Sequence, residues 1–266
     1  LAAAGVLSQG LFRNPLASPS ILGSSSGASV ATVSMFYLSL GVWEWYALPL
    51  AGIVGAMGVC ILLLFVVAKD QHLQISQLLL VGVAISTLLS AATTFLISLM
   101  IEDRDKAAMI FRWLLGGFSG CGWLQVSITF FPLLTILPIA GHLASKLDIL
   151  ALGEDVAESL GINVFYVKFL SISLISILVG TSVSVAGGLP FVGLIVPHIT
   201  RGILGPKHRG LLIGSTINGA SLVVCADLLS RTLRSPKEIE VGILISAVGA
   251  LFFLWILRKE SYAHNP

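Results

Sequence analysis

Charge is what this sequence has least of. Charged residues make up 11% of the 266 positions, against roughly 25% in an ordinary soluble domain. A water-facing surface cannot be built from that inventory, so a soluble enzyme or binding domain is excluded and lipid must be the main solvent. Cysteine is scarce as well. Cys60, Cys121 and Cys225 are scattered in or beside apolar stretches with no CxxC spacing, which points to neither a disulfide framework nor a zinc site. No GxxxxGK[ST] phosphate loop occurs, so the chain does not itself bind ATP in the P-loop manner. A net charge of +2 is too small to point to nucleic acid. The histidines (His72, His142, His198, His208 and His264) are dispersed and form no catalytic constellation. Acids inside apolar runs are almost lacking. Asp227 stands alone there, and Arg231 follows four residues later, the spacing of a structural pair on one helix face. A proton-driven carrier needs more buried ionisable groups than this, so the energy for any transport is expected to come from outside the chain.

What is there is apolar: 56% hydrophobic residues, with a mean hydropathy of +0.98. The apolar runs recur along the whole length with no polar domain between them, which indicates one membrane domain. A spanning helix needs about 20 such residues, and candidates separate at 21–38, 46–69, 74–100, 122–143, 163–184, 211–230 and 239–257. The run at 1–12 is too short to cross a bilayer, so the chain is expected to open inside a helix with upstream sequence missing. A stretch at 191–204, between Gly187-Gly188-Leu189-Pro190 and Gly205-Pro206, predicts a half-helix, tolerable only if buried in protein. The segment 107–118 predicts a short interfacial piece. The fold class is therefore all-α, a polytopic transmembrane helical bundle.

Alternate loops differ in charge. One set holds Arg13, Lys69, Lys146, Lys168, Arg201, Lys207, Arg209, Arg258 and Lys259, nine basic residues; the other holds six, together with six acids. The excess puts the first set and the C-terminus in the cytoplasm. Small residues crowd Gly23–Ala28, Gly82–Thr94 and Gly180–Gly188. Close helix packing accounts for most of them, and Ser86, Thr87, Ser90, Thr93 and Thr94 are the candidates for a polar pathway lining.

The longest polar excursion runs from Lys146 to Asn163. Leu150, Val156, Ala157 and Leu160 would form an apolar side, and Asp148, Glu154, Asp155 and Glu158 an acidic one. Gly153 and Gly161 are expected to break the segment into two short helices. An acidic helical surface at a membrane boundary suits docking to a soluble partner, and it equally suits a solvated loop.

Three segments together resemble one family. They are Arg13-Asn-Pro-Leu-Ala-Ser-Pro-Ser-Ile-Leu-Gly23 with Ser25-Ser-Gly-Ala28, then Leu150-Ala-Leu-Gly-Glu-Asp-Val-Ala-Glu-Ser-Leu-Gly161, then Gly193-Leu-Ile-Val-Pro-His-Ile-Thr-Arg201 with Gly205-Pro-Lys-His-Arg209, Ala226-Asp227 and Glu240-Val-Gly242. The sequence is similar to the FecCD-type permeases, the type II ABC importers of iron-siderophores, haem and cobalamin. The similarity runs in order from Leu1 to about Lys259. It implies a permease subunit of about ten helices, about nine of them in this chain counting one partial and one half-helix. By the same comparison the first helix and the outer half of the second lie outside the sequence. The expected partners are a second permease subunit (an identical chain or a close homologue), two ABC ATPase subunits, a periplasmic or lipoprotein substrate-binding protein, and lipid. ATP and Mg would sit on the ATPase, with no cofactor on this chain and no enzymatic activity of its own. The resemblance assigns ATPase coupling to Leu150, Gly153, Glu154, Asp155, Ala157, Glu158 and Gly161. It places Asn14 and Leu16 at the cytoplasmic exit, and Gln74, Ile75 and Ser76 at the inner end of the pathway helix that also carries Ser86 and Ser90. A family member has small hydroxyl residues where this chain has Gln74 and Ile75. Arg231 and Arg234 match positions that contact the binding protein. The cargo expected is an iron-siderophore, with haem or cobalamin as the alternative within the family and an ion-coupled carrier as the rival outside it.

Overall fold

The computed structural model describes residues 1–38, 44–69, 75–233 and 238–263. The described residues form helices α1 (Ala2–Leu11), α2 (Ser24–Leu38), α3 (Glu44–Lys69), α4 (Ile75–Leu99), α5 (Arg104–Leu115), α6 (Trp123–Leu150), α7 (Glu154–Ser159), α8 (Val164–Ala186), α9 (Val192–Leu204), α10 (His208–Thr232) and α11 (Val241–Ala263), with a 3-10 turn at Pro19–Leu22 and no strand. α3, α4, α6, α8 and α10 are long and apolar enough to span a bilayer. A 25-residue helix such as α4 extends about 37 Å, more than the roughly 30 Å hydrocarbon core. The half-helix expected at 191–204 is α9, and the interfacial piece expected at 107–118 is α5.

Two expectations need correction. α6 does not stop near 143 but continues to Leu150. Lys146 and Asp148 suggest a loop, yet Leu143, Leu147 and Leu150 keep the helical repeat going and all three are fully buried. The first of the two short helices expected in the polar excursion is therefore the last turn of α6, and only α7 is separate. Prolines at 49, 132, 138 and 197 lie inside helices, which membrane helices tolerate when side chains re-satisfy the freed carbonyls. Between the two prolines of α6, the Thr135 hydroxyl donates to the Phe131 and Pro132 carbonyls, both at 3.1 Å.

The chain reverses so that the described members of the more basic loop set gather at one end of the bundle with α7, and those of the acid-containing set gather at the other with α5. α8 is the most enclosed of the five apolar spans and α4 the least. Small residues explain the enclosure. A side chain on Gly55 of α3 would collide with the Gly27 carbonyl of α2, and one on Gly180 of α8 would meet the Ala56 methyl at 2.6 Å. Ser24 and Ser176 share a buried hydroxyl hydrogen bond of 2.9 Å across α2 and α8. In lipid, where apolar burial gives helices no preference for one another over acyl chains, such close backbone approach supplies the packing energy. α1, buried along its whole length, crosses α9 backbone to backbone where Gly5 meets Gly193.

At the α5 end the pairs Gly116-Gly117 and Gly187-Gly188 interlock with Gly242. The Gly117 N–H donates to the Ala186 carbonyl (2.9 Å) and that of Gly242 to the Gly116 carbonyl (3.1 Å). Gly116 and Gly187 hold φ of 77° and 66°, the left-handed region that glycine enters without strain. Asp103 caps α5 by accepting the Lys106 backbone N–H at 3.2 Å. That bond is the main reason its carboxyl lies below the ordinary value.

Candidate transport site

The residues singled out in the sequence fall into three places. The first is the α7 end. After α1 the chain turns through Arg13, at a left-handed φ of 51°, and every step of the turn is held. The Asn14 N–H donates to the Gln9 carbonyl (3.1 Å) and the Ala17 N–H to the Asn14 carbonyl (3.0 Å). The Asn14 side chain accepts the Leu16 N–H at 2.8 Å. Asn14 is exposed and Leu16 half-buried. Across from this turn stands α7, entered through Gly153 at φ 125° and left through Gly161 at φ 79°.

Half of the acidic face expected on this segment, Asp148 and Glu154, is engaged with the bundle. Glu154 sits between Arg13 Nη2 (3.0 Å) and Lys168 Nζ (2.7 Å), and the Lys168 side chain is only 3% exposed. Asp148 accepts from the backbone N–H and the ring Nδ1 of His208, at 3.1 and 2.6 Å. Leu150 and Ala157 are fully buried. What faces outward is Asp155 and Glu158 together with Leu152, Val156 and Leu160. The sequence reading put Leu150 and Ala157 beside Val156 and Leu160 on one apolar side; the helix instead splits them, one pair anchoring it and the other exposed.

The second place is α4. Gln74 lies outside the described residues. Ile75 packs into the core, and Ser76 beside it is exposed. From Ser76 a stripe runs along Leu80, Val83, Thr87, Ser90 and Thr94, all exposed, at the three- and four-residue steps of one helix face. The hydroxyls of Ser86, Thr87, Thr93 and Thr94 donate to carbonyls one turn back at 2.8–3.0 Å. A hydroxyl spent this way keeps acceptor capacity without leaving a bare donor. Ser86 and Thr93, however, face the bundle: Thr93 is buried, and Ser86 Oγ lies 3.2 Å from where a side chain on Gly23 would begin. Gly82 meets the Ile21 carbonyl of the 3-10 turn. A groove of about 770 Å³ beside that turn adds Ser18, Ser20, Ser25, Ser29 and Ser246, hydroxyls that the sequence did not single out. For Ser25 and Ser29 the four-residue spacing on one helix face would have pointed to them; nothing local marks Ser18, Ser20 or Ser246.

The third place is the α5 end of α10. Arg231 pairs with Asp227 at 2.9 Å, as their spacing predicts, and lies 3.9 Å from Glu238. Its side chain stays half-exposed. Arg234 lies outside the described residues.

α9 packs against α1, α10 and α11. Buried Gln9 donates to the Leu194 carbonyl (3.3 Å) and accepts from Arg201 Nη2 (2.9 Å), tying the family-like Gly193–Arg201 segment to α1.

A helical bundle with a half-buried half-helix, one hydroxyl-striped open span and an outward knob at one end fits a multi-pass transport protein of the membrane. The family model described as the FecCD transport family matches residues 1–259, and the chain belongs to that family. It is 39% identical over 261 residues to the Fe(3+) dicitrate transport system permease protein FecD of Escherichia coli K12, spanning 97% of this chain and 79% of the relative. Identity is 34% over 263 residues to the hemin transport system permease protein HmuU of Yersinia pestis (98% and 78%). It is 37% over 266 residues to the vitamin B12 import system permease protein BtuC of Vibrio vulnificus (99% and 78%). Among solved structures, an ABC transporter of the metal-chelate type in an inward-facing conformation superposes with a TM-score of 0.90 at 31% identity, over 97% of this chain and 81% of that one.

Proposed function

We propose that this chain is the membrane-spanning permease subunit of an ATP-binding-cassette importer and that it carries a ferric siderophore-type chelate across the cytoplasmic membrane. The observation that carries the first part is the α7 knob. Leu152, Val156 and Leu160 stand exposed around Asp155 and Glu158, while the helix is fastened from behind through Ala157 and Glu154. An apolar and acidic protrusion held rigidly at a membrane boundary fits a cleft on a soluble subunit, here an ATPase that supplies the energy this chain lacks. Residues 146–163 form the coupling element within a single permease domain covering 1–266.

The basic excess at the α7 end supports a cytoplasmic location for that end and for the C-terminus. The Ser76–Thr94 stripe is the pathway face and meets its counterpart on a second permease subunit. With Leu80 and Val83 between the hydroxyls, it offers a bulky chelate weak contacts at many points rather than one tight site, as conduction requires. Exposed Arg231 at the α5 end is the contact for a substrate-binding protein. Relatives named for ferric dicitrate, hemin and vitamin B12 lie at similar identity, and the ferric chelate is chosen on the FecD relative.

The test is uptake in cells with and without the subunit, offering radiolabelled ferric siderophore, ferric citrate, haem and cobalamin in parallel. Loss of a vanadate-sensitive ferric-chelate signal is expected. Loss of haem or cobalamin uptake alone would keep the importer and overturn the cargo. Uptake insensitive to vanadate would overturn the ATP-driven mechanism.

A further inference from the structure

The acid that looks best placed for docking, Glu154, does not face outward. It is the first residue of α7 and holds two cations from other elements: Lys168 on the next helix, α8, and Arg13 in the distant turn after α1. The two contacts have different characters. Lys168 is almost wholly buried, whereas the Arg13 side chain is 32% exposed. Lys168 and Glu154 fix α7 to the bundle; Arg13 adds a connection to a different element.

That element is stiff. From Arg13 the chain passes through the Asn14–Leu16 and Asn14–Ala17 bonds already described. The Ile21 N–H then donates to the Ser18 carbonyl (3.1 Å) and the Gly23 N–H to the Ser20 carbonyl (2.9 Å). The Ser18 and Ser20 hydroxyls share a bond of 2.8 Å. The 3-10 turn at the end of this run lies against α4 through backbone, the Ile21 carbonyl on Gly82, with Gly23 beside Ser86. No flexible side chain intervenes at that contact, so movement of the turn toward α4 must displace α4.

We propose that Glu154 and Arg13 are positioning residues that convert movement of α7 into movement of the exit turn and of α4. The inference rests on the proposed docking of an ATPase at α7. Coupling between two sites has a physical basis where one element with two arrangements is biased by both of them. Here that element runs from Glu154 through Arg13 and the 14–22 segment to Gly82. Cutting it at Arg13 leaves Glu154 paired with Lys168, so α7 keeps its seat while the link to the exit is lost.

The experiment uses the assembled complex of the permease with its ATPase subunits in proteoliposomes, with Cys60, Cys121 and Cys225 replaced by serine. Single cysteines at Glu158→Cys on α7 and Leu16→Cys in the exit turn are labelled with a maleimide, with and without ATP and vanadate. No cargo is needed. Both sites are expected to change labelling rate on ATP trapping in the parent complex. Arg13→Gln is expected to shrink the change at position 16 by about five-fold or more, the low end of coupling between sites, while the change at position 158 persists. Arg13→Lys, which restores the charge at the same left-handed backbone position, is expected to recover most of it. A change at position 16 that survives Arg13→Gln overturns the proposal and leaves the docking reading standing. No ATP-dependent change at position 158 in the parent complex overturns both.

Discussion

Asp148 holds the first residue of α10: one of its oxygens takes both the backbone N–H and the ring Nδ1 of His208, at 3.1 and 2.6 Å. The carboxylate does for α10 what a capping side chain does for its own helix, but from the end of α6. It also directs the ring, because an ionised acid can only accept and Nδ1 must carry the hydrogen. Nε2 then points inward to Gly10, where a side chain would begin 2.6 Å away. Gly10→Ala is therefore expected to push the ring off Asp148. It should destabilise the protein by about 1–3 kcal/mol, the range for overpacking a closed site. Asp148→Ala is expected to cost about 1–2 kcal/mol, a lost cap. Thermal unfolding in detergent measures both, and an unchanged Tm in Gly10→Ala would remove the steric account.

The contact between α2 and α3 predicts opposite results for two glycines one turn apart. Gly55→Ala forces a methyl onto the Gly27 carbonyl, whereas a side chain on Gly58 meets nothing within 4 Å. Gly55→Ala should lose about 1–3 kcal/mol. Gly58→Ala should be neutral or gain about 0.5–1 kcal/mol through helix propensity. The paired Tm values decide, and equal shifts would contradict the packing described.

Charge reversal on α7 should likewise separate two acids. Glu154→Lys leaves buried Lys168 facing a like charge and is expected to lower the yield of folded subunit. The cost is about 2 kcal/mol or more, somewhat below that for breaking a fully buried pair because Glu154 is 26% exposed. Glu158→Lys, on the open surface, should change folding by less than about 0.5 kcal/mol and weaken co-purification of the ATPase. Normal yield of Glu154→Lys would show that the inward pair carries little.

Along α4, cysteines at Ser90 and Thr94 should react with a membrane-impermeant thiol reagent, because the hydroxyl stripe is assigned to a wet pathway. Cysteines at Leu88 and Phe95, on the adjoining apolar stripe, should remain protected by lipid. Reaction rates differing by about ten-fold or more are expected. Uniform protection would make α4 a lipid-facing helix throughout.

Much of the bundle was legible because lipid imposes a simple rule: long apolar runs must be helices. The half-helix before Gly205-Pro206 and the Asp227–Arg231 pair followed from local spacing alone. The extended α6 did not, since Lys146 and Asp148 look like loop residues until Leu147 and Leu150 are seen to continue the buried face. The partners of Asp148 and Glu154 were hidden for a different reason. His208 lies 60 positions from Asp148, and Arg13 lies 141 from Glu154. No periodicity links residues so far apart, and acids at helical spacing read as an outward face whether or not the fold turns them in. Close approach at Gly27, Gly82 and Gly180 was foreseeable as a class, but not which carbonyl or methyl each would meet.

The meeting of Gly82 with the Ile21 carbonyl has a consequence for how such a scaffold diversifies. The joint between the 3-10 turn and α4 is closed by main chain at Gly82, with the Ser86 and Ile85 side chains flanking it at Gly23. Ser76, Thr87, Ser90 and Thr94 sit on another face of the same helix and contribute nothing to that joint. On the proposed reading of that face as the pathway lining, its residues can change one by one while the joint at Gly82 stays the same.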